Sequence, residues 1–335
     1  MSKESLSTLN TQTLIGYTEK RGNAWHYRAD EQGTESNHYT GSIPVEDVRR
    51  RLFGWTALEG AITATAITPD GVMVTEDPTR KAIMRSDTGA LLGIFKQGYK
   101  IHPYSEWLIS NVENLLDADA QVASAGLLRG GAVAWVQIEM EETLSVQGFD
   151  FRPFLTAATS MDGSLATTYL TGAQAVVCDN TLSVALGSKE SPRVKIRHSA
   201  NSLTRIGEAR EALGIIYQVA DDFAAQVEAL TAEVVSKDRW TAFLKAYSSP
   251  STDSKTATTV AANKVEALDN LWTNDLRVAP WAGSAFGVLQ AVNTYTHHVQ
   301  ATRGDASRAE RNMERAVSGG IDALDRDTLR VLATV

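Results

Sequence analysis

The chain has 335 residues, enough for a substantial core and for two domains or one domain with a large appendage. With 43% apolar and 21% charged residues it reads as a soluble globular protein, and no apolar run is long enough to suggest a membrane partner. A formal net charge of −8, from 32 basic and 40 acidic residues, argues against a protein that coats duplex DNA through its overall charge.

Residues 1–40 are polar and weakly periodic, and predict a flexible arm. They lack the apolar centre of a secretory signal, and the single cysteine, Cys178, excludes an intrachain disulfide, so a cytoplasmic location is expected. Pro44, Glu46 and Asp47 mark a helix start near residue 42, which puts Arg49, Arg50 and Arg51 in the last turn, where cations suit the helix dipole. From 61 to 198 the apolar period falls toward two. Strands are predicted at 61–68, 72–75, 81–85, 91–96, 121–127, 133–140, 165–170 and 194–196, separated by turn signals such as Pro69-Asp70-Gly71 and Asp162-Gly163. An amphipathic helix is predicted at 104–116, and Asp179-Asn180 reads as the cap of another.

After His198 the pattern changes. Ile206, Ala209, Leu213, Ile216, Ala220, Phe223, Val227, Leu230 and Val234 follow alternating three- and four-residue steps, which predicts a long helix with one apolar seam. That seam packs either within the chain or against a partner helix; Leu213, Ile216 and Phe223 are the candidate oligomerisation residues. Further helices are expected at about 256–273, 280–302, 306–318 and 325–333, with a loop at 248–254. The fold class expected is α+β: an antiparallel β-rich core at 41–198, with hairpins and one or two packed helices, followed by a helical region at 199–335.

The chain carries no Walker loop and no dinucleotide fingerprint, and His26, His38, His102, His198, His297 and His298 lack the spacing of a helical zinc site. No catalytic residue, metal or cofactor is therefore assigned, and an enzymatic role is left open. The chemistry that remains is cationic. Arg193, Lys195 and Arg197 alternate with Val194 and Ile196, so a strand places the three charges on one face as a track for phosphates. Arg129 precedes a Gly-Gly turn, where it either contacts a phosphate or is simply solvated, and Lys96 and Lys100 are secondary candidates.

Several segments occur in order: Ala24-Trp25-His26, the run 81–93 followed by Gly98-Tyr99-Lys100, the Ala125 to Gly131 turn, Asp162-Gly163-Ser164, Val177-Cys178-Asp179-Asn180-Thr181-Leu182, and Arg308 to Arg311. Together they resemble the phage/plasmid-like proteins of actinobacterial phages, prophages and plasmids. In outline the hairpin-rich core followed by helices is also similar to the ring-forming single-strand annealing proteins of phage recombination. With the Arg193/Lys195/Arg197 stripe, the apolar seam and the absence of a nucleotide-hydrolysis motif, the function expected is that of an ATP-independent phage or plasmid protein that binds single-stranded DNA and anneals strands as a homo-oligomer. The alternative is a protein-binding or host-modulating factor without nucleic-acid activity, acting through its helical part.

Overall fold

The computed structural model describes residues 10–23, 28–110, 113, 116, 120–140, 142–175, 181–182, 193–196, 216–301, 311–312, 314–315, 318 and 320–335. The architecture is α+β, with antiparallel sheets in the N-terminal and central regions and helices after them.

The large sheet is built on four long central strands, β7 (Ala120–Leu128), β8 (Val133–Met140), β10 (Phe149–Ser160) and β11 (Thr167–Ala175). β1 (Thr13–Ile15) adds antiparallel to β7 at one side. At the other side β12 (Thr181–Leu182) and β13 (Arg193–Ile196) both pair with β11, and β9 (Leu144–Val146) extends the ladder along β10. Every residue of β8 is buried, so the sheet is covered on both faces. On one face Ala134, Val136 and Ile138 meet Val122, Leu155 and Tyr169, and pack under α1 (Val45–Leu52) and the π-helical turn Ser105–Ser110. On the other, Trp135 and Phe154 lie across neighbouring strands. A Cβ at Gly126 would sit 2.0 Å from the Trp135 ring, and one at Gly172 2.4 Å from Phe154, so these two strand positions require glycine.

A twisted ribbon leads into this body. β2 (Ala57–Gly60), β5 (Arg80–Arg85) and β6 (Leu91–Lys96) form a three-stranded sheet, and beyond β2 and β5 the same ribbon continues as the hairpin β3 (Thr63–Thr68) and β4 (Gly71–Glu76).

The helical part comprises α2 (Ile216–Ala232), α3 (Lys237–Tyr247), α4 (Lys255–Asn274), α5 (Ala285–Thr294) and α6 (Gly320–Leu332). Ser236, Ser254 and Ser284 cap three of them by accepting backbone N–H bonds at 3.2, 3.1 and 3.1 Å. Their core centres on Trp240, Phe243, Leu268 and Val288, with Trp240 stacked on Trp272 at 4.3 Å. Phe149 and Phe151 of the sheet share a second cluster with Phe223 and Phe286, which fastens helices to strands.

Five expectations need correction. The polar segment 1–40 is not a loose arm in its described part: Leu14 is fully buried in β1, and the N–H groups of Ile15, Gly16 and Tyr17 donate to Asn37, Ala123 and Gly41. Thr181 and Leu182 pair with β11 instead of opening a helix. β10 was not anticipated, because it is buried on both faces and contains Pro153. That proline is tolerated where it stands: the β9 ladder ends at Phe151 and the β8 ladder starts at Phe154, so Pro153 lies between them. The seam helix ends at Ala232, and a separate helix, α3, follows. Phe223, taken as an oligomerisation residue, is fully buried within its own chain.

Candidate nucleic-acid interface

The two turns at one end of the large sheet form the floor of the site. Arg129 and Gly130 are left-handed (φ 53° and 67°), and Gly131 also has positive φ, 101°. The missing Cβ of Gly131 is used by Arg85, whose Nη1 would lie 2.5 Å from it. Arg85 donates from Nη1 to the Gly130 carbonyl at 2.9 Å, chelates Asp87 at 2.9 and 2.6 Å, and stacks 4.4 Å from the Trp55 ring. The Tyr104 hydroxyl lies 2.9 Å from the carbonyls of both Gly131 and Ala132. The missing Cβ of Gly131 therefore serves an internal clamp, whereas a Cβ at Gly130 would meet nothing within 4 Å. Arg85 and Tyr104 were missed by sequence reasoning, since nothing local in the sequence links residues 85 and 104 to a turn at 130.

The facing turn is the Asp162-Gly163 hairpin, closed by the Ser164 N–H donating to Asp162 at 2.8 Å. Arg129 reaches across to Asp162 at 2.9 Å and also pairs with Glu314. Burial pushes the Asp162 carboxyl up, but hydrogen bonds from Ser164, Arg129 and Ser160 outweigh it and hold the group below the usual carboxylate range. A lowered folded value means that the pair stabilises the fold fully above the ordinary carboxylate pKa, and is lost as pH falls through the folded value. The Arg129 side chain is 45% exposed, so the contribution is expected to be under about 1 kcal/mol. Thermal melts of wild type and Asp162→Asn should differ at neutral pH and converge in strong acid; a gap constant with pH would contradict the ionic origin.

Beside this floor runs the end of β6. Phe95 and Tyr99 stack at 3.8 Å, half-buried, and the Phe95 ring lies against Gly163. The Tyr99 hydroxyl donates to the Ser160 carbonyl at 3.4 Å, while burial and the nearby Asp162 raise its pKa. Lys96 and Lys100, each directly following one ring of this pair in sequence, are exposed. His102 joins Thr167 at 2.8 Å, and Thr167 joins Thr159 at 2.8 Å, tying the following loop to the sheet.

β13 arrives at the same end: Ile196 is registered with Thr167 and Lys195 with Thr168, while Arg193 is registered with Leu170. Thus Phe95, Tyr99, Arg129 and the backbone of β13 all reach the 160–167 end of the sheet, Lys100 follows Tyr99 in the chain, and Lys96 lies on the β6 face opposite Phe95. Arg193 and Lys195 are thus placed by register beside Leu170 and Thr168 of β11. Arg197, Leu213 and Cys178 lie outside the described residues. Ile216 opens α2. The other basic knot is tied internally: Arg49 pairs with Glu46 and Glu113, Arg50 with Glu35 and Asp47, and Arg51 with the Ser36 carbonyl and Tyr39 hydroxyl.

Among the described residues no three His, Cys, Asp or Glu side chains gather as a metal site would need, and no helix is long and apolar enough to cross a membrane. The His297 and His298 rings are 6.3 Å apart, and burial pushes His297 down to about 3, so it is neutral.

These features define an α+β protein with antiparallel sheets, a helical C-terminal region and a stacked aromatic pair at one end of the large sheet. Residues 91–318 match the family described as domain of unknown function DUF932. The match covers more than half of the chain, and the chain belongs to this family. No curated protein and no solved structure matches it.

Proposed function

We propose that this chain binds single-stranded DNA at the sheet end around the 161–166 turn, and promotes strand annealing without a nucleotide cofactor. In this reading it is a DNA-metabolism protein of a phage or plasmid, acting in the host cytoplasm. The observation that supports it is the stacked Phe95–Tyr99 pair at the sheet end where β13 pairs with β11, each ring followed in the chain by an exposed lysine, Lys96 and Lys100. Exposed cations next to aromatic rings supply the two contacts a single strand uses, phosphate neutralisation and base stacking. A net charge of −8 fits a local groove better than a coating surface.

The test is fluorescence anisotropy with a labelled single-stranded oligonucleotide across a salt series, with duplex as competitor. Binding should prefer the single strand and weaken with salt. Lys96→Ala together with Lys100→Ala should lower the log–log salt slope by about 1.4, roughly 0.7 for each lost phosphate contact. An unchanged slope removes this end of the sheet from the interface, and no binding at low salt removes the function.

A further inference from the structure

The β3–β4 hairpin stands clear of the body. Ile67 is 91% exposed, Val72 68% and Val74 62%. The register pairs Ile67 with Val72, Thr65 with Val74 and Thr63 with Glu76, so these residues share one face of the hairpin. A two-stranded hairpin has no core of its own and is marginal in water. An apolar face of this kind on a soluble chain marks a contact surface.

The outer face of the three-stranded sheet is a second uncovered apolar surface. Leu58 is registered with Met84, Met84 with Leu91, Ala82 with Ile94, and Arg80 with Lys96. Leu58, Leu91 and Ile94 are each about half exposed, at 48, 58 and 49%. Its charged residues on this face are Arg80 and Lys96, whereas the segment 61–79 carries Asp70, Glu76 and Asp77 and no Lys or Arg.

We propose that the hairpin of one copy packs face to face on the three-stranded sheet of a second copy of this chain. The two faces match row by row. Glu76 meets the Arg80–Lys96 row, Val74 meets the Ala82–Ile94 row, and Ile67 with Val72 meets Leu58, Met84 and Leu91. Rows on both faces recur every second residue, the common period of β-strands, so aligned sheet packing brings all three into contact together. The charges then act as a register lock, because sliding by one row removes the acid from its cations and leaves Ile67 over open solvent. The surface is separate from the seam of α2, whose Phe223 is buried internally.

This inference is independent of nucleic acid and is tested without it, by sedimentation velocity of the full chain over a wide concentration range. Wild type should show a mass above the 36.3 kDa monomer that rises with concentration. Ile67→Asp on the hairpin and Ile94→Asp on the sheet should each weaken self-association about tenfold or more, since both sit at the centre of the contact. An equal mixture of the two variants retains one intact hairpin and one intact sheet, and should recover a dimer that neither forms alone. Leu91→Asp serves as a second sheet variant, and unchanged circular dichroism confirms that each has folded. A wild type that stays monomeric overturns the proposal. So does an oligomer indifferent to both substitutions, or a mixture that remains monomeric. Lys96 borders both this surface and the DNA site, so Lys100 and Ile67, which each belong to one alone, separate failure of one from failure of the other.

Discussion

Replacing Glu139 with alanine is expected to destabilise the fold by about 3–5 kcal/mol, a large part of the total for an ordinary domain. Its carboxylate lies 3.6 Å from Arg152, and the two side chains are 1% and 3% exposed. Removing the acid strands a guanidinium that water cannot reach, with the Tyr17 ring 5.1 Å away as a weak compensating contact. Gln137, which donates to Glu139 at 3.1 Å, would lose its acceptor as well. Replacing both charges together, Glu139→Gln with Arg152→Met, should recover most of the loss, because no lone charge remains buried. Urea titration reads this as a shift in midpoint at constant slope. A single-variant cost below about 1 kcal/mol would mean that the pair is solvated.

Phe223→Ala is expected to cost a similar amount, about 3–5 kcal/mol, by opening a cavity among rings. Phe223 is fully buried, meets Phe151 edge-on at 4.8 Å and lies 6.5 Å from Phe149. Phe223→Leu should cost clearly less, since it leaves a smaller hole. Phe223→Asp would add an unpaired carboxylate to this cluster and should prevent folding outright. Had the seam been an open interface, Phe223→Asp would instead yield a folded monomer. Thermal melts and mass measured on the same sample distinguish these outcomes.

Local signals made much of the fold legible. The Asp162-Gly163 turn, the extent of β8 and the acid-first, base-last order of α1 each depend on neighbours within a few residues, and each is where the pattern put it, although β8 is buried on both faces where its alternation suggested one. What escaped depends on residues far apart in the chain. β1 is a strand only because β7, more than a hundred residues later, offers it an edge. Proline is disfavoured in a central strand, yet at Pro153 the gap between two ladders absorbs it, and that gap exists only once β8 and β9 are both in place. The cations show the same division. The placement of Arg193 and Lys195 along β11 is a product of register, whereas Arg129, Arg49 and Arg50 spend their charge on acids that the sequence leaves distant. The donor clamp on the 129–131 turn is likewise assembled from residues 85 and 104.

The two glycine notches in the large sheet have a consequence for how this chain can vary. Trp135 fills the space above Gly126, and Phe154 the space above Gly172, so each ring and the glycine opposite make one packing unit shared by two strands. A side chain gained at either glycine collides with a ring, and a ring lost leaves a void over the glycine. Neither member can drift by small steps while its partner stays fixed. Such positions are inherited as couples, and a relative that has abandoned one of these rings would be released from its glycine too.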